Sequence, residues 1–271
     1  LCLSHGYVPN FILLSTLIPI PKDKLADKSI TSNYRAIALC ALLMKIYEYI
    51  ILNRHKESLT SSSHQFAYTN NSSTTQCTWV AREVISYYKN NNTRIYACLL
   101  DCSKAFDKIR YDTLFNKLLN HGVSPIILKS LLYMYCNSSA QVRWNGATSD
   151  SFTVSNGVRQ GAVLSPLLFN IYLDDLITEL KSDGHGCWLG TQYYGILVYA
   201  DDILLLSPTV YSLQHMLEIC HKFGKSTGLT FNAEKTVCID FHTSVKCPKE
   251  IHPSLHLGES ILEWRSKVKH L

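Results

Sequence analysis

Asp201 and Asp202 stand side by side within an otherwise apolar stretch of the chain. The sequence Leu-Val-Tyr-Ala precedes them at 197–200, and Ile-Leu-Leu-Leu follows at 203–206. This pattern predicts an apolar hairpin from Tyr194 to Leu206 with both carboxylates at its tip. Such carboxylates are costly unless a partner compensates their charge, and neither run contains a basic residue. A divalent cation is the partner that the pattern favours, because Mg²⁺ prefers carboxylate oxygens.

A third carboxylate, Asp101, follows another apolar run, which predicts a strand over 94–100. Two metal ions held about 3.5–4 Å apart by such carboxylates stabilise the attacking and leaving oxygens of an in-line phosphoryl transfer. The plainer interpretation is that Asp201 and Asp202 form only a polar turn, and for an isolated pair it would be preferred. The third aspartate at a strand end favours the metal site.

The composition restricts the class of protein without identifying it. Of 271 residues, 46% are apolar and only 17% are charged, which excludes a disordered tail, a collagen and a coiled-coil rod. The net charge of +5 is too small to indicate a nucleic-acid binder by itself. Ten cysteines without a C-x-x-C pair do not predict a disulfide framework. No run reaches the roughly 18 apolar residues of a membrane span, so we expect no membrane partner.

Periodicity and turn signals predict a mixed α+β fold rather than a regular alternation of strands and helices. A hairpin is expected around the turn Asn145-Gly146, because this dipeptide suits a type I′ turn. Ser73 and Gln76 form a capping box for a helix. The predicted helices are about 39–58, 73–89, 112–121, 125–136, 165–180 and 207–226, and a further strand is predicted over 236–241.

Several segments together resemble the reverse transcriptases. Tyr199-Ala200-Asp201-Asp202 resembles the Tyr-x-Asp-Asp signature of that family, and 99–107 (Leu-Leu-Asp-Cys-Ser-Lys-Ala-Phe-Asp) resembles its first palm motif. The stretch 156–169 is similar, nearly residue for residue, to the non-LTR retrotransposon (LINE-like) branch. The segment 228–236 resembles the motif after the catalytic hairpin, while 33–37 and 45–48 resemble fingers motifs. These motifs, which follow one another along the chain in the family's order, are together far more specific than any one of them.

The resemblance implies an α+β fingers–palm core of the right-hand polymerase type, with the thumb absent or incomplete. It assigns 1–93 to the fingers and 94–271 to the palm, with a helical segment at 111–137 between the first two palm motifs. Together they would form one reverse transcriptase domain, and the start at Leu1 suggests a fragment of a longer polyprotein. The endonuclease and thumb regions of that polyprotein would lie outside this sequence.

The implied activity is RNA-directed DNA polymerisation in retrotransposition, in which dNTPs are added to a primer 3′-OH by two-metal phosphoryl transfer. The implied partners are an RNA template and a DNA primer, and the implied cofactors are two Mg²⁺ ions, with Mn²⁺ as a substitute. We expect an intracellular protein that acts in the nucleus at a chromosomal target, with the cytoplasm as the alternative. The alternative function is a truncated or decayed copy that folds and binds nucleic acid without polymerising.

The resemblance also assigns catalytic roles to individual residues. Asp101 and Asp201 would bridge the metal ions, and Asp202 would be the third carboxylate. The backbone carbonyl of Cys102 would complete the metal site. Lys235 would donate a proton to the leaving pyrophosphate, although from its sequence context alone it is equally well a solvated loop lysine.

Further residues would bind the nucleotide and the primer. Phe106 would be the steric gate that excludes a 2′-OH, although without the motif around it a core aromatic would be the better interpretation. The backbone N–H groups of Lys104 and Ala105 would cradle the triphosphate. The remaining assignments are Arg35 and Lys45 as triphosphate-binding cations of the fingers, Gln160 and Gly161 beside the incoming nucleotide, and Leu257 and Gly258 in the primer grip.

A zinc knuckle is a weaker alternative for the last part of the chain. Cys238, His242, Cys247 and His252 have a spacing similar to such a site. However, the first two would lie on the strand predicted from Thr236, and the paired C-x-x-C start is missing. We therefore expect no zinc there.

Overall fold

A computed structural model describes residues 5–23, 25, 27–69, 71–241 and 253–267. The chain forms two compact units, each assembled from two separate stretches. The first unit comprises Leu1–Thr60 and Phe106–Tyr172, and the second comprises Ser61–Ala105 and Leu173–Leu271. These limits do not follow a single cut at residue 93, and the assignment of fingers and palm to 1–93 and 94–271 stays a prediction.

Six α-helices and fourteen strands are found in the described residues. The helices are α1 (Leu42–Arg54), α2 (Thr74–Asn90), α3 (Tyr111–Asn120), α4 (Pro125–Cys136), α5 (Ser165–Asp183) and α6 (Val210–Thr227). The strands are β1 (Leu14–Pro21), β2 (Tyr34–Cys40), β3 (Ile95–Asp101), β4 (Ser139–Trp144), β5 (Ala147–Thr148), β6 (Phe152–Thr153), β7 (Trp188–Leu189), β8 (Gln192–Tyr193), β9 (Ile196–Tyr199), β10 (Asp202–Ser207), β11 (Val237–Phe241), β12 (His256–Leu257), β13 (Ser260–Ile261) and β14 (Glu263–Trp264). None of the helices in the described part of the chain is long and apolar enough to cross a bilayer.

The first unit is built on a sheet of order β2-β1-β4-β5, with β6 also paired to β4. Strand β1 runs antiparallel to β2 and parallel to β4. The turn between β4 and β5 has positive φ at both Asn145 (47°) and Gly146 (82°), which confirms the predicted type I′ hairpin.

Helix α1 begins later than the sequence predicted. The expected start near Leu39 is wrong, because Leu39 belongs to β2 and the helix begins at Leu42. Pairing along β1, from Ser15 opposite Cys40 to Pro21 opposite Tyr34, outweighs the helical spacing of the apolar residues there.

The second unit is built on a mixed sheet of order β14-β11-β3-β10-β9, in which β3 lies antiparallel between β11 and β10 and β14 runs parallel to β11. Its buried core includes Ala97, Leu197 and Leu206, and partly buried side chains of α2 pack against it. Helix α6 contacts β10 and is closed by Gly228, whose φ of 81° is left-handed, close to the predicted helix end at about residue 226. Ser73 caps α2 by accepting a hydrogen bond from the backbone N–H of Gln76, as the capping box predicted.

The cysteines that the structure describes are all free thiols, eight in number. Six of them have buried side chains, all in the second unit, including Cys77, Cys98 and Cys238. They therefore serve as small core residues, which agrees with the absence of a disulfide framework in the sequence prediction.

Candidate active site

The three predicted metal-binding aspartates lie at one end of the second unit's sheet. Asp101 is the last residue of β3 and Asp202 is the first residue of β10, and the two stand directly opposite each other in the antiparallel ladder. Asp201 precedes Asp202 in the turn that joins β9 to β10. Asp101 and Asp202 are partly buried, whereas Asp201 is exposed. The sequence prediction of an aspartate-tipped hairpin is therefore confirmed.

A buried glutamine holds the turn that carries these aspartates. Ala200 has a left-handed φ of 57°, which an alanine adopts only at a cost. Its N–H donates to Oε1 of Gln65 at 3.0 Å, and Nε2 of Gln65 donates to its carbonyl at 3.4 Å. Gln65 is only 2% exposed, and the same Oε1 accepts from the N–H of Ala67 at 2.9 Å. Gln65 has no assigned role in the sequence prediction, because nothing near it in the chain shows that its partner is the turn of the aspartates.

The donor groups around the aspartates suit a hard divalent cation. No described lysine or arginine forms an ion pair with Asp101 or Asp201. Burial raises the pKa of the Cys102 thiol to about 12, and the negative charges of Asp201 and Asp101 act in the same direction. The carboxylates of Asp101 and Asp201 are thus both close enough to Cys102 to raise the pKa of its thiol.

The backbone of Cys102 leaves its carbonyl available to a ligand. Cys102 faces Phe231 in an isolated antiparallel bridge, whose hydrogen bonds run from Ser103 N–H to Thr230 C=O and from Asn232 N–H to Asp101 C=O, both at 2.9 Å. Cys102 is the non-hydrogen-bonded residue of this bridge, so the bridge does not use its carbonyl. This agrees with the carbonyl ligand that the resemblance assigned to Cys102.

The loop that contains Lys235 is anchored to Asp101. The side chain of Asn232 accepts from the N–H groups of Glu234 and Lys235, which forms a local turn. Thr236 then donates its hydroxyl to the Asn232 carbonyl at 2.7 Å, and its Oγ1 accepts from the Asp101 N–H at 3.2 Å. Lys235 itself is exposed, and its role as a proton donor stays a prediction.

Lys104 and Ala105 form the turn that follows β3. Lys104 is exposed and has a left-handed φ of 50°, while Ala105 is buried at the start of a short 3₁₀ helix, Ala105–Lys108. The turn predicted for triphosphate binding is present, and its ligand stays a prediction.

In the first unit, the 156–161 loop packs against the segment that begins with Phe106. The N–H of Val158 donates to the Phe106 carbonyl at 2.8 Å. A Cβ on Gly157 would lie 2.9 Å from both this oxygen and Asp107 Cα, so the close approach requires glycine. The Phe106 ring stacks on Phe169, with centroids 4.9 Å apart and planes inclined by 16°. This stacking fixes the ring of the predicted steric gate.

Gln160 and Gly161 lie between this segment and β2. The side-chain amide of Gln160 donates to Asp107 Oδ1 at 3.4 Å, and its backbone carbonyl accepts from the Ala38 N–H at 2.8 Å. Gly161 has a φ of 108°, and a Cβ there would lie 3.2 Å from the Ala38 carbonyl. Arg35 is exposed on the same strand as Ala38. Three of the predicted nucleotide-binding residues, Arg35, Gln160 and Gly161, therefore lie on or beside β2.

A buried ion pair in the first unit was missed by the sequence analysis. Glu48, on α1, is fully buried, and its Oε2 accepts from the N–H groups of Val163 at 2.6 Å and Leu164 at 3.2 Å. Its Oε1 lies 4.0 Å from the Arg159 guanidinium, which is 7% exposed. Burial raises the pKa of Glu48, and Arg159 acts in the opposite direction. Lys45 also lowers the pKa of Glu48, so this predicted triphosphate cation has an acidic neighbour on α1.

The predicted primer grip is a short hairpin of β12 and β13 in the second unit. Leu257 is buried, and Gly258 forms the turn with a φ of 64°. A Cβ on Gly258 would lie 2.5 Å from Cε1 of His221 on α6, so the turn packs closely on that helix. The hairpin is thus present, and its contact with a primer stays a prediction.

Two further groups of potential metal ligands can be compared with the sequence prediction. Three of the four zinc-knuckle candidates, His242, Cys247 and His252, lie outside the described residues, and Cys238 is buried in β11. In the part of the chain that the structure describes, one group of three metal-ligating side chains converges to within 4.8 Å, at Asp183, His185 and His215. The aspartates at 101, 201 and 202 do not form a group this tight.

Solved structures with a similar architecture are telomerases. The telomerase of Candida tropicalis, truncated from its C-terminal domain, aligns with a TM-score of 0.61 and 15% identity over 90% of this chain and 52% of that one. The telomerase of Candida albicans, in complex with a fragment of telomeric RNA, aligns with a TM-score of 0.59 and 14% identity over 89% of this chain and 44% of that one. The fold is therefore that of a right-hand polymerase, and the predicted fingers–palm class is confirmed.

The model of the family described as reverse transcriptase (RNA-dependent DNA polymerase) matches residues 20–268. The chain therefore belongs to the reverse transcriptase family, whose members use divalent metal ions. It is 27% identical over 94% of its length to the Pol polyprotein of the type-2 retrotransposable element R2DM of Drosophila melanogaster, and 28% identical over 89% to that of the type-1 element R2 of Popillia japonica. These relatives confirm the non-LTR retrotransposon branch that 156–169 predicted. The chain spans 24% and 34% of their lengths.

Proposed function

We propose that this chain is the polymerase core of a non-LTR retrotransposon protein, which copies an RNA template by adding dNTPs to the 3′-OH of a DNA primer. The observation that supports it most is the register of the second unit's sheet, in which Asp101 and Asp202 stand opposite each other and Asp201 occupies the adjoining turn. Carboxylates on neighbouring strand ends form the arrangement that two-metal phosphoryl transfer requires.

The metal ligands in this proposal are the carboxylates of Asp101 and Asp201 and the carbonyl of Cys102, with Asp202 as the third carboxylate. Bound Mg²⁺, for which Mn²⁺ can substitute, would neutralise charge on the phosphates and activate the primer hydroxyl. The chain's own contribution is to hold these oxygens in place. The Asn232–Lys235 turn is bonded to the backbone of Asp101, and Gln65 fixes the backbone of Ala200 beside Asp201. Such positioning accounts for much of the catalysis of phosphoryl transfer.

The nucleotide-binding residues in this proposal act through charge and shape. Arg35 and Lys45 offset the charge that builds on the triphosphate. The N–H groups of Lys104 and Ala105 donate to its oxygens, because consecutive backbone N–H groups in such a turn bind anions. Phe106, held flat by Phe169, leaves no room for a 2′-OH on the sugar.

The remaining assignments concern the product and the primer. Lys235, exposed beside the anchored turn, protonates the leaving pyrophosphate in this proposal. Leu257 and Gly258 hold the primer, and Gln160 and Gly161 pack beside the incoming nucleotide. The protein acts at a chromosomal target in the nucleus, and the endonuclease and thumb regions that complete the activity belong to the parent polyprotein.

Primer extension on an RNA template with Mg²⁺ tests the catalytic assignment. Wild type should incorporate dNTPs, and Asp201→Asn should abolish incorporation because the metal-bridging charge is lost. Asp150→Asn is the matched control, since Asp150 is an exposed aspartate of the first unit. Equal incorporation by wild type and Asp201→Asn would refute the metal assignment. Wild type that binds RNA but incorporates nothing would instead support a decayed copy that only binds nucleic acid.

Sugar selection provides a second test. Phe106→Val should admit ribonucleotides, because valine lacks the ring that Phe169 holds in place. The control is Phe152→Val, since Phe152 is 46% exposed on β6. Both variants are assayed by competition between a dNTP and the matching rNTP, and unchanged sugar selectivity in Phe106→Val would remove Phe106 from this role.

A further inference from the structure

A compact group of histidine and aspartate side chains lies in the second unit, outside the residues assigned to polymerisation. Asp183 is the last residue of α5, His185 follows in the next loop, and His215 lies on α6. Asp183 Oδ2 lies 2.5 Å from His185 Nδ1, and Asp183 Oδ1 lies 3.1 Å from His215 Nε2. The two imidazole rings have centroids 4.4 Å apart.

We propose that Asp183, His185 and His215 form a zinc site that links the end of α5 to α6. Two imidazole nitrogens and one carboxylate oxygen are a common donor set for Zn²⁺, with water as the fourth ligand. A tetrahedral site with bonds of about 2.0–2.1 Å separates its ligand atoms by roughly 3.3 Å. The ligand atoms here already lie within 4.8 Å of one another, so small side-chain rotations bring them to that separation.

The loop that carries His185 is held in position before any ion binds. The His185 carbonyl accepts from the Tyr193 hydroxyl at 2.8 Å, and the Gly186 N–H donates to Ser212 Oγ at 3.0 Å. The Gly184 carbonyl accepts from the Trp188 indole N–H at 2.9 Å. A fixed backbone on both sides of His185 reduces the ordering that metal binding requires.

His215 has a second carboxylate on its other ring nitrogen. Glu218 Oε2 lies 3.9 Å from His215 Nδ1, one turn further along α6. Histidines that bind metals commonly donate their other N–H to a carboxylate, which fixes the tautomer and makes the ligand more basic. At 3.9 Å Glu218 is too far from His215 for a hydrogen bond, so its contribution here is a negative charge beside His215 that favours a bound cation.

The site differs in chemistry from the aspartates at the strand ends. Imidazole nitrogen favours zinc over magnesium, whereas sites composed of carboxylate and carbonyl oxygen favour magnesium. The side chains of Asp183, His185 and His215 are 25%, 32% and 35% exposed, so an ion and its water ligand have access from solvent. The site therefore has a structural role that is separate from polymerisation.

Zinc binding to the metal-free chain tests the proposal. The full chain is treated with chelator, kept in excess Mg²⁺ to occupy oxygen-ligand sites, and titrated with Zn²⁺ against a chromophoric competitor. Wild type should bind one more Zn²⁺ ion tightly than His185→Gln or His215→Gln, and Glu218→Gln should weaken the binding of that ion less than either histidine substitution does. His221→Gln is the control, since His221 lies on α6 but outside the group.

Thermal unfolding and Co²⁺ absorption complete the test. Saturating Zn²⁺ should raise the unfolding midpoint of wild type by roughly 5 °C and leave that of His215→Gln unchanged. Co²⁺ should give a tetrahedral visible spectrum without thiolate charge transfer, which separates this site from cysteine ligands. Equal zinc stoichiometry in wild type and both histidine variants would overturn the proposal, and so would a spectrum dominated by thiolate. Circular dichroism confirms that each variant is folded.

Discussion

The buried pair of Glu48 and Arg159 leads to a prediction about stability that depends on pH. Arg159→Met removes the cation but keeps an apolar side chain of similar length. The guanidinium also donates to Ser138 Oγ and lies over the Tyr135 ring at 5.8 Å. The substitution therefore leaves the fully buried Glu48 with only its two backbone hydrogen bonds from Val163 and Leu164.

The size of the effect follows from the geometry. At the 4.0 Å between Glu48 Oε1 and Arg159 Nη1, the attraction is about 4 kcal/mol with an effective dielectric constant of about 20. Part of this loss is offset, because the variant does not pay the desolvation cost of burying the Arg159 guanidinium. Removing one partner of a buried pair typically costs about 3–5 kcal/mol. We expect Arg159→Met to lower the free energy of unfolding by about 3 kcal/mol at neutral pH.

The sign of the pH dependence follows from the pKa of Glu48. Burial already raises this pKa above its ordinary value, and Arg159 opposes the rise. A raised carboxyl pKa gives stability that is present at low pH and is lost as the pH rises through the pKa of the folded state. Arg159→Met raises the pKa of Glu48 further, so its deficit relative to wild type should widen as the pH rises from the pKa of Glu48 in folded wild type to its higher pKa in the variant.

Urea unfolding of three chains measures these effects: wild type, Arg159→Met, and the double variant Glu48→Gln/Arg159→Met. The double variant removes both charges but keeps an acceptor for the N–H groups of Val163 and Leu164. It should therefore be more stable than Arg159→Met at about pH 8, and its deficit relative to wild type should not widen as the pH rises, because it has no carboxyl group at position 48. The reasoning is refuted if Arg159→Met shows a deficit that does not vary with pH, or if Glu48→Gln fails to rescue it.

Two further predictions concern close contacts of the backbone. Gln65→Met should lower the kcat of primer extension about tenfold or more, with little change in the KM for dNTP. The reason is that Ala200 loses both of its hydrogen bonds to Gln65. An unchanged kcat would contradict the positioning role of Gln65. Gly157→Ala should destabilise the chain by about 2–4 kcal/mol in urea unfolding, since the new Cβ would be strained in φ and would meet backbone at 2.9 Å. Gly146→Ala is the control, because it has a similar φ of 82° and nothing within 4 Å, so it should lose only about 1–2 kcal/mol.

The elements that the sequence predicted well are those with local signals. The cap at Ser73, the Asn145-Gly146 turn and the helix end at Gly228 each depend on residues within a few positions of one another. Strand β1 gave no such signal, because Pro19 and Pro21 argue against a strand. Both prolines lie beyond the part of β1 that pairs with β4, which ends at Leu17. Its last residues are thus paired on one side only, where proline is tolerated.

In the candidate site, too, the residues with a local sequence signal were predicted and those that depend on distant contacts were not. The motifs placed Asp101, Asp201 and Asp202 correctly at strand ends, because an apolar run that ends in aspartate is visible in the sequence. The residues that fix the backbone of Ala200, and of Val163 and Leu164 in the first unit, were missed. Gln65 is 135 positions from Ala200, and Glu48 is 115 positions from Val163. Neither partner is distinguished by its side chain, since the bonds go to backbone groups.

The contact of Gln65 with Ala200 shows why such residues matter more than their sequence context suggests. An alanine in the left-handed conformation costs about 1–2 kcal/mol. The two hydrogen bonds between Ala200 and Gln65 stabilise the turn by a similar amount, at about 1 kcal/mol each. The conformation of the turn is therefore close to balanced, and it persists because a distant, buried amide selects it. Asp201 follows Ala200 directly, so any relaxation of this φ would redirect the exposed carboxylate while the ladder still holds Asp202 opposite Asp101. Loss of Gln65 should consequently affect catalysis before it affects the fold.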